Sequence, residues 1–196
     1  MTTYETILKR RTIRLFKKKK ISKKILEKLV NAGRLAPSAR NLQPLEYLVV
    51  DDPILTDKVF ENVYFGGKIE KLRTRENRPV AYILVLVNKK IRSQDFEYDV
   101  GLAAENIVLA AFEKGIGSCI IKVFQSQNLE EKIFSLPKHC FLDLVIALGY
   151  PAEKPVIEEK RENYWRDENN VLHVPKRPLK EILYWNQYGK FKKENW

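Results

Sequence analysis

The 196-residue chain carries 36 Lys and Arg against 25 Asp and Glu, a net charge of +11, and 44% of its residues are hydrophobic. That apolar share excludes a disordered or collagen-like polymer. The length suits one domain, residues 1–196, able to bury roughly 70% of the surface its unfolded form exposes.

Thr3 to Arg10 reads as a short helix. Ser22 is placed to cap a second one, whose apolar residues Ile25, Leu26, Leu29 and Val30 recur at helical spacing up to Gly33. Lys17 to Lys20 lies between them as an exposed loop. Tyr47 to Val50 has strand composition and ends at Asp51, Asp52 and Pro53, where Asp52 can cap a helix whose first position suits proline. Val80 to Val87 is apolar on both alternating faces, the mark of a central buried strand, and is far too short to span a bilayer as a helix.

Tyr98 to Lys114 is the longest helical pattern, with Leu102, Ile107, Val108, Ala111 and Phe112 as its apolar face and Gly115 placed to end it. Ile120 to Phe124 reads as a strand, Leu129 to Phe134 as a short helix, and Leu142 to Leu148 as a buried strand interrupted by Asp143. Residues 152–178 read as an irregular polar segment, and Leu179 to Leu183 as the last helix. The tail 184–196 is aromatic beyond what its polarity suggests, and needs either its own domain or a second copy of the chain to cover it.

Cys119 and Cys140 belong to no Cys/His array, so a metal is not expected and two free thiols are. Met1 to Arg10 has no apolar signal core, which leads us to expect a cytoplasmic protein. No Gly-x-Gly-x-x-Gly follows a strand, so a Rossmann nucleotide site has no support. His139 and His173 have no partner visible in the sequence, and Asp99, Asn106 and Asp143 read as structural.

Two segments carry chemistry. Arg10, Arg11, Thr12, Ile13 and Arg14 crowd three guanidinium groups beside a hydroxyl, a donor set suited to clamping a phosphate. Pro37-Ser38-Ala39-Arg40-Asn41-Leu42-Gln43-Pro44 is a turn-forming stretch whose amides and hydroxyl can meet both edges of a heterocycle. Their order, followed by Asp99 to Asn106, Gly115 to Cys119 and Ala147 to Pro151, resembles the nitroreductase family of FMN-dependent oxidoreductases.

That resemblance implies an α+β three-layer sandwich, a mixed and mostly antiparallel sheet flanked by helices, in an intertwined homodimer. It also implies FMN as cofactor, NAD(P)H as electron donor and a small-molecule acceptor such as a nitroaromatic or a quinone. By the same resemblance Arg10, Arg11 and Thr12 contact the phosphate and ribityl chain, joined by Lys176 and Arg177, with Lys160 and Arg161 as rivals for that role. Arg14 tunes the flavin from its N1 and C2 carbonyl edge, with Arg73 or Arg75 as a second cation. Ser38, Ala39, Asn41 and Gln43 approach from the partner subunit, and the main chain of Ile121 and Lys122 meets flavin N5. Leu45 replaces the family's usual aromatic after Gln-Pro.

A basic nucleic-acid-binding module is the rival class, with Lys17 to Lys20, Arg40 and Arg73 to Arg78 as a phosphate track and Tyr64 and Phe65 for stacking. A flavin-binding homologue without turnover is the third. The leading reading expects neither a nucleic-acid nor a membrane partner.

Overall fold

The computed structural model describes residues 1–66, 72–123, 128–159 and 163–189, which fall into two units, Met1–Glu153 and Lys154–Trp196. In the first unit, helix α1 (Thr3–Lys9) starts on a capping box: the Thr2 hydroxyl accepts from Glu5 N at 3.2 Å, and the Glu5 carboxylate accepts from Thr2 N at 2.7 Å. The two-residue strand β1 (Phe16–Lys17) and helix α2 (Lys23–Arg34) follow. Strand β2 (Leu45–Val50) leads to helix α3 (Pro53–Glu61), where Asp52 caps as its sequence position predicts, accepting from Ile54 N at 2.9 Å and Leu55 N at 3.0 Å.

Strand β3 (Ala81–Asn88), helix α4 (Glu97–Glu113), strand β4 (Gly117–Lys122) and strand β5 (Cys140–Pro151) complete the unit. β5 is the hub of one sheet, pairing antiparallel with β3 on one edge and with β4 and β1 on the other, while β2 lies outside β3. Alternation along β3 feeds two cores. Tyr82, Leu84 and Leu86 pack on one face with Phe16, Val59 and Phe65. Ile83, Val85 and Val87 pack on the other with Leu26 and Leu29 of α2 and Val100, Ala104 and Ile107 of α4. Helices therefore cover both faces, and the three-layer α+β sandwich implied by the resemblance is present.

Four elements differ from the sequence reading. Leu102, expected in the α4 core face, is about half exposed, because the buried stripe runs through Asp99, Val100, Ala103, Ala104, Ile107, Val108 and Ala111. Asp143 is not one of these, since it interrupts the strand as its sequence position suggests. Val85 faces Leu144 and Leu86 faces Leu142, so Asp143 is the extra residue of a β-bulge inside β5. Asn128–Ile133 winds as a π-helical turn, and Leu179–Glu181 is one 3-10 turn rather than a helix.

The fourth is the stretch 152–178, which in the second unit holds a three-stranded sheet, β6 (Val156–Glu159), β7 (Trp165–Arg166) and β8 (Leu172–Lys176), in the order β6-β8-β7. Its strands are short, β6 does not alternate apolar with polar, and the alternation Leu172-His173-Val174 of β8 is cut off by Pro175, so no two-residue period of useful length marks them. Phe124, Lys160, Arg161 and the tail beyond Gly189 lie outside the described residues.

Candidate active site

Residues 10–14 leave α1 and run along the edge of β4. Thr12 bridges to Ser118, and Ile13 N donates to Ser118 O at 2.9 Å. Two glycines allow this close approach: a Cβ on Gly117 would sit 2.8 Å from Ile13 Cβ, and one on Gly149 would sit 2.8 Å from Phe16 Cδ1. Arg14 and Leu15 are further held by Glu153, whose carboxylate accepts both backbone N–H groups, at 2.6 and 3.2 Å.

The three arginines are used differently. Arg11 folds back to cap α1, donating to Arg10 O and, at 2.7 Å, to Leu8 O. Arg10 turns its Nε to Glu105 of α4 at 3.5 Å, and its terminal nitrogens have no hydrogen-bond partner among the described residues. Arg14 donates its Nε to Phe65 O at 2.8 Å, again with its terminal nitrogens unpartnered among the described residues. Arg73 lies 3.9 Å over the Phe60 ring and 5.1 Å from the Phe65 ring, so both cations rest against the Phe65 segment. Arg75 instead pairs with Glu61 at 3.3 Å.

The parity of β4 follows from Ser118. Its carbonyl faces residues 12–14, away from β5, and N–H and C=O of one residue point to the same side of an antiparallel strand. Counting by two, the backbone N–H groups of Ile120 and Lys122 also face the free edge, while that of Ile121 faces β5. The Lys122 ammonium is committed elsewhere, to the buried carboxylate of the bulge residue Asp143. Cys119 points into the core, where burial pushes its thiol up to about 11 against the pull of Arg14.

The loop after α2 is wound tightly. Arg40, Asn41 and Gln43 all take positive φ, at 54°, 54° and 50°. Three bonds hold them there: Asn41 N to Ser38 O at 2.9 Å, Gln43 N to Ser38 Oγ at 3.0 Å, and Ala39 N to the buried Asp99 carboxylate at 3.0 Å. Asp99 is fixed in turn by Arg92 at 3.6 Å. Behind the loop lies a cavity of about 140 Å³, bordered by Ser38, Gln43, Tyr47 and Asp99. Burial raises the Tyr47 phenol to about 12.

Asp99 and Glu105 are six residues apart on α4, so the loop and the arginine segment meet the helix about 9 Å apart along its axis and about 120° apart around it. Within one chain the structure gathers Arg10, Thr12, Arg14 and the β4 edge, and leaves Ser38, Ala39, Asn41 and Gln43 on another side of α4. In the second unit Lys176 ends β8, and Arg177 pairs with Glu181 at 3.7 Å. Asp99, Glu105 and Glu153 are supports the sequence reading did not assign to the site. Asp99 alone had a local signal, as an acid in the first turn of a long apolar helix. Among the described residues no cluster of His, Cys, Asp or Glu could hold a metal, and no helix is long and apolar enough to cross a membrane.

The fold is a three-layer α+β sandwich with a basic segment docked on a sheet edge, and comparison with known proteins gives the family. The chain matches the Nitroreductase family over residues 7–150 and belongs to it. A protein of Methanothermobacter thermautotrophicus, provisionally named NADH dehydrogenase/NAD(P)H nitroreductase, is 30% identical over 79% of this chain and 80% of its own length. An iodotyrosine deiodinase of Thermotoga neapolitana is 28% identical over 76% of this chain and 88% of its own. Among solved structures, an FMN-dependent nitroreductase of Clostridium difficile superposes with a TM-score of 0.68 at 25% identity, covering 93% of this chain and 98% of that one.

Proposed function

We propose that this chain is an FMN-dependent NAD(P)H oxidoreductase, a homodimer that reduces nitroaromatic, quinone or similar acceptors by ping-pong hydride transfer. One observation carries the reading. The segment in which the terminal guanidinium nitrogens of Arg10 and Arg14 are unpartnered among the described residues is docked at Ser118 on the same strand whose N–H groups at Ile120 and Lys122 face outward, about 7–13 Å further along. An anionic tail and a polar ring edge of one extended ligand are both served by that edge. The donor set fits the group: unpartnered charged N–H donors for a phosphate, and outward backbone N–H groups for a ring nitrogen.

When bound, the isoalloxazine ring supplies the hydride chemistry, accepting from NAD(P)H and giving to the acceptor. The protein's residues hold and bias it. Arg10 and Thr12 bind the phosphate and ribityl chain, and the family resemblance assigns phosphate contacts to Lys176 and Arg177 of the second unit. Arg11 supports them by fixing the end of α1 and the carbonyl of Arg10. Arg14, backed by Arg73, places positive charge at the pyrimidine edge and favours the electron-rich state. The Lys122 N–H donates toward the ring, and Ser38, Ala39, Asn41 and Gln43 close the site from the partner subunit.

The dimer is supported by a second apolar face on α4. Tyr98 and Leu102 are exposed on a stripe that continues through Glu105 and Leu109, beside exposed Tyr4, Ile7 and Leu8 of α1 and Leu35. An apolar helix face left in water in addition to the buried stripe calls for a covering surface. The placement of the 38–43 loop on another side of α4 from Arg10 also suits a site completed by two chains.

The test is direct. Purified protein is expected to be yellow, or to turn yellow on adding FMN, to sediment as a dimer, and to oxidise NAD(P)H only with an added acceptor. A panel of a nitrobenzene, a benzoquinone and a halogenated tyrosine ranks the acceptors. Parallel lines in double-reciprocal plots support the ping-pong order. Flavin-loaded protein without turnover would leave a flavin-binding homologue, and protein that takes up no FMN would sink the reading.

A further inference from the structure

His173 has partners on both sides. In β8 its Nδ1 lies 2.8 Å from Glu158 Oε1 of β6, and its Nε2 lies 3.3 Å from Asp167 Oδ2, just past β7. Its ring is stacked on Trp165, with centroids 4.0 Å apart and planes 13° apart. A neutral imidazole has one N–H, so either tautomer would turn a lone pair toward a carboxylate; only the doubly protonated ring satisfies both acceptors. Stacking of that cation on the indole face adds to the same state.

The clamp matters because the small sheet has little apolar core among the described residues. Leu172 is its one buried apolar residue among the described residues, β7 is two residues long, and β6 is four. Asp167 also closes the turn into β8, accepting from Asn169 N at 2.9 Å and Val171 N at 2.8 Å. The other charged groups on the strands packed around the ring are Arg166, whose guanidinium bonds Asn170 O at 2.6 Å, and Glu159, which faces Lys176 in the register. β8 ends at Lys176, with Arg177 next.

We propose that His173 is a positioning residue for flavin binding: as an imidazolium it ties β6 and the β7 turn to β8, and so holds the strand end from which Lys176 and Arg177 reach the phosphate. This rests on reading those two residues as phosphate ligands. The two carboxylates raise the His173 pKa above its usual 6.5, while the turn N–H groups, Val171 first, keep Asp167 below its usual 3.8. Folding therefore takes up the His173 proton. The clamp is complete below the ordinary histidine value and is lost as pH rises through the raised one.

The experiment uses the full-length chain with FMN and, as a phosphate-free control, riboflavin. Tryptophan emission is titrated from about pH 5 to about pH 9, because an imidazolium stacked on Trp165 quenches it. A rise with a midpoint above 6.5 is expected, and is abolished in both His173→Gln and Trp165→Phe. FMN affinity, read by flavin fluorescence, is expected to fall about tenfold between about pH 6 and about pH 9, the size of one charge-assisted bond, with riboflavin unaffected. His173→Gln should bind FMN weakly at both pH values, and His173→Arg, which keeps a permanent two-sided cation, should bind with no pH step. Lys176→Ala with Arg177→Ala should weaken FMN binding while leaving the tryptophan step intact. If that double variant loses affinity and neither the pH change nor His173→Gln does, the positioning role is overturned alone. If none of them changes FMN binding, it falls together with the phosphate reading. The absence of a His173-dependent emission step overturns it whatever the flavin does.

Discussion

The Asp99 carboxylate reaches from the first turn of α4 to accept the backbone N–H of Ala39 at 3.0 Å, tying a loop with three left-handed non-glycine residues to the core helix. Each such residue costs about 1–2 kcal/mol, so the loop keeps its shape only while its anchors hold. Asp99→Ala removes the anchor and takes from Arg92, whose side chain is largely buried, its carboxylate partner, leaving it the carbonyls of Gln94 and Asp95. We expect a loss of about 3 kcal/mol in urea denaturation and a drop in FMN affinity of tenfold or more. Asp99→Asn, which retains an acceptor for Ala39 N–H, is expected to recover most of the flavin affinity and less of the stability. Equal affinity in all three proteins would separate the loop from the flavin.

The edge on which residues 10–14 dock depends on Gly117. A Gly117→Ala Cβ would meet three Ile13 side-chain atoms at 2.8 to 3.0 Å, and both residues belong to tightly hydrogen-bonded backbone that cannot yield far. The expected loss is about 1–3 kcal/mol. Shortening Ile13 to Gly in the same chain removes all three contacts, Cβ included, so the two substitutions should be strongly non-additive, with a coupling of about 1 kcal/mol or more in a double-mutant cycle. Simple additivity would mean that the segment does not lie where the geometry puts it.

What the sequence made legible was local. Asp52 followed by Pro53 specified the start of α3, and the unbroken apolar run ending at Val87 specified a strand buried on both faces. The arginine segment and the loop at Ser38 stood out by composition. Their supports did not, because Asp99, Glu105 and Glu153 lie 60 to 139 positions from the residues they bind. Arg11 illustrates the limit: its type suits a phosphate, yet the nearest carbonyls of α1 take its donors first. His173 had no visible partner because both arrive through strand pairing, with Glu158 15 positions before it in a parallel neighbour.

Arg14 is expected to set the potential of the bound flavin. Its guanidinium is fixed by Phe65 O at 2.8 Å, and its backbone by Glu153 at 2.6 Å, so the charge cannot swing away from the edge it faces. Arg14→Gln removes one positive charge that stabilises the reduced state by about 1.5–3 kcal/mol. For a two-electron couple this lowers the midpoint by about 30–60 mV. Arg14→Lys should fall between the two. Spectroelectrochemical titration of the three proteins decides it, and an unchanged midpoint in Arg14→Gln would remove Arg14 from the pyrimidine edge.

The two thiols are expected to be inert in the native protein. Burial holds Cys119 at about 11, and burial together with the Glu46 carboxylate raises Cys140 as well. Only the thiolate reacts, so near pH 8 about one Cys119 in a thousand is competent, and that one lies inside the sheet packed against Tyr82 and Ala147. Raising pH should therefore quicken labelling of Cys119 by a disulfide reagent only through the range around 11, and that of Cys140 only above the range in which an unperturbed thiol gains its charge. In urea both thiols should react at once and with equal amplitude. Fast labelling of one thiol in the native protein at pH 8 would mean that the sheet edge at β4 or the start of β5 opens on the time scale of the reaction, and comparing Cys119→Ala with Cys140→Ala identifies which.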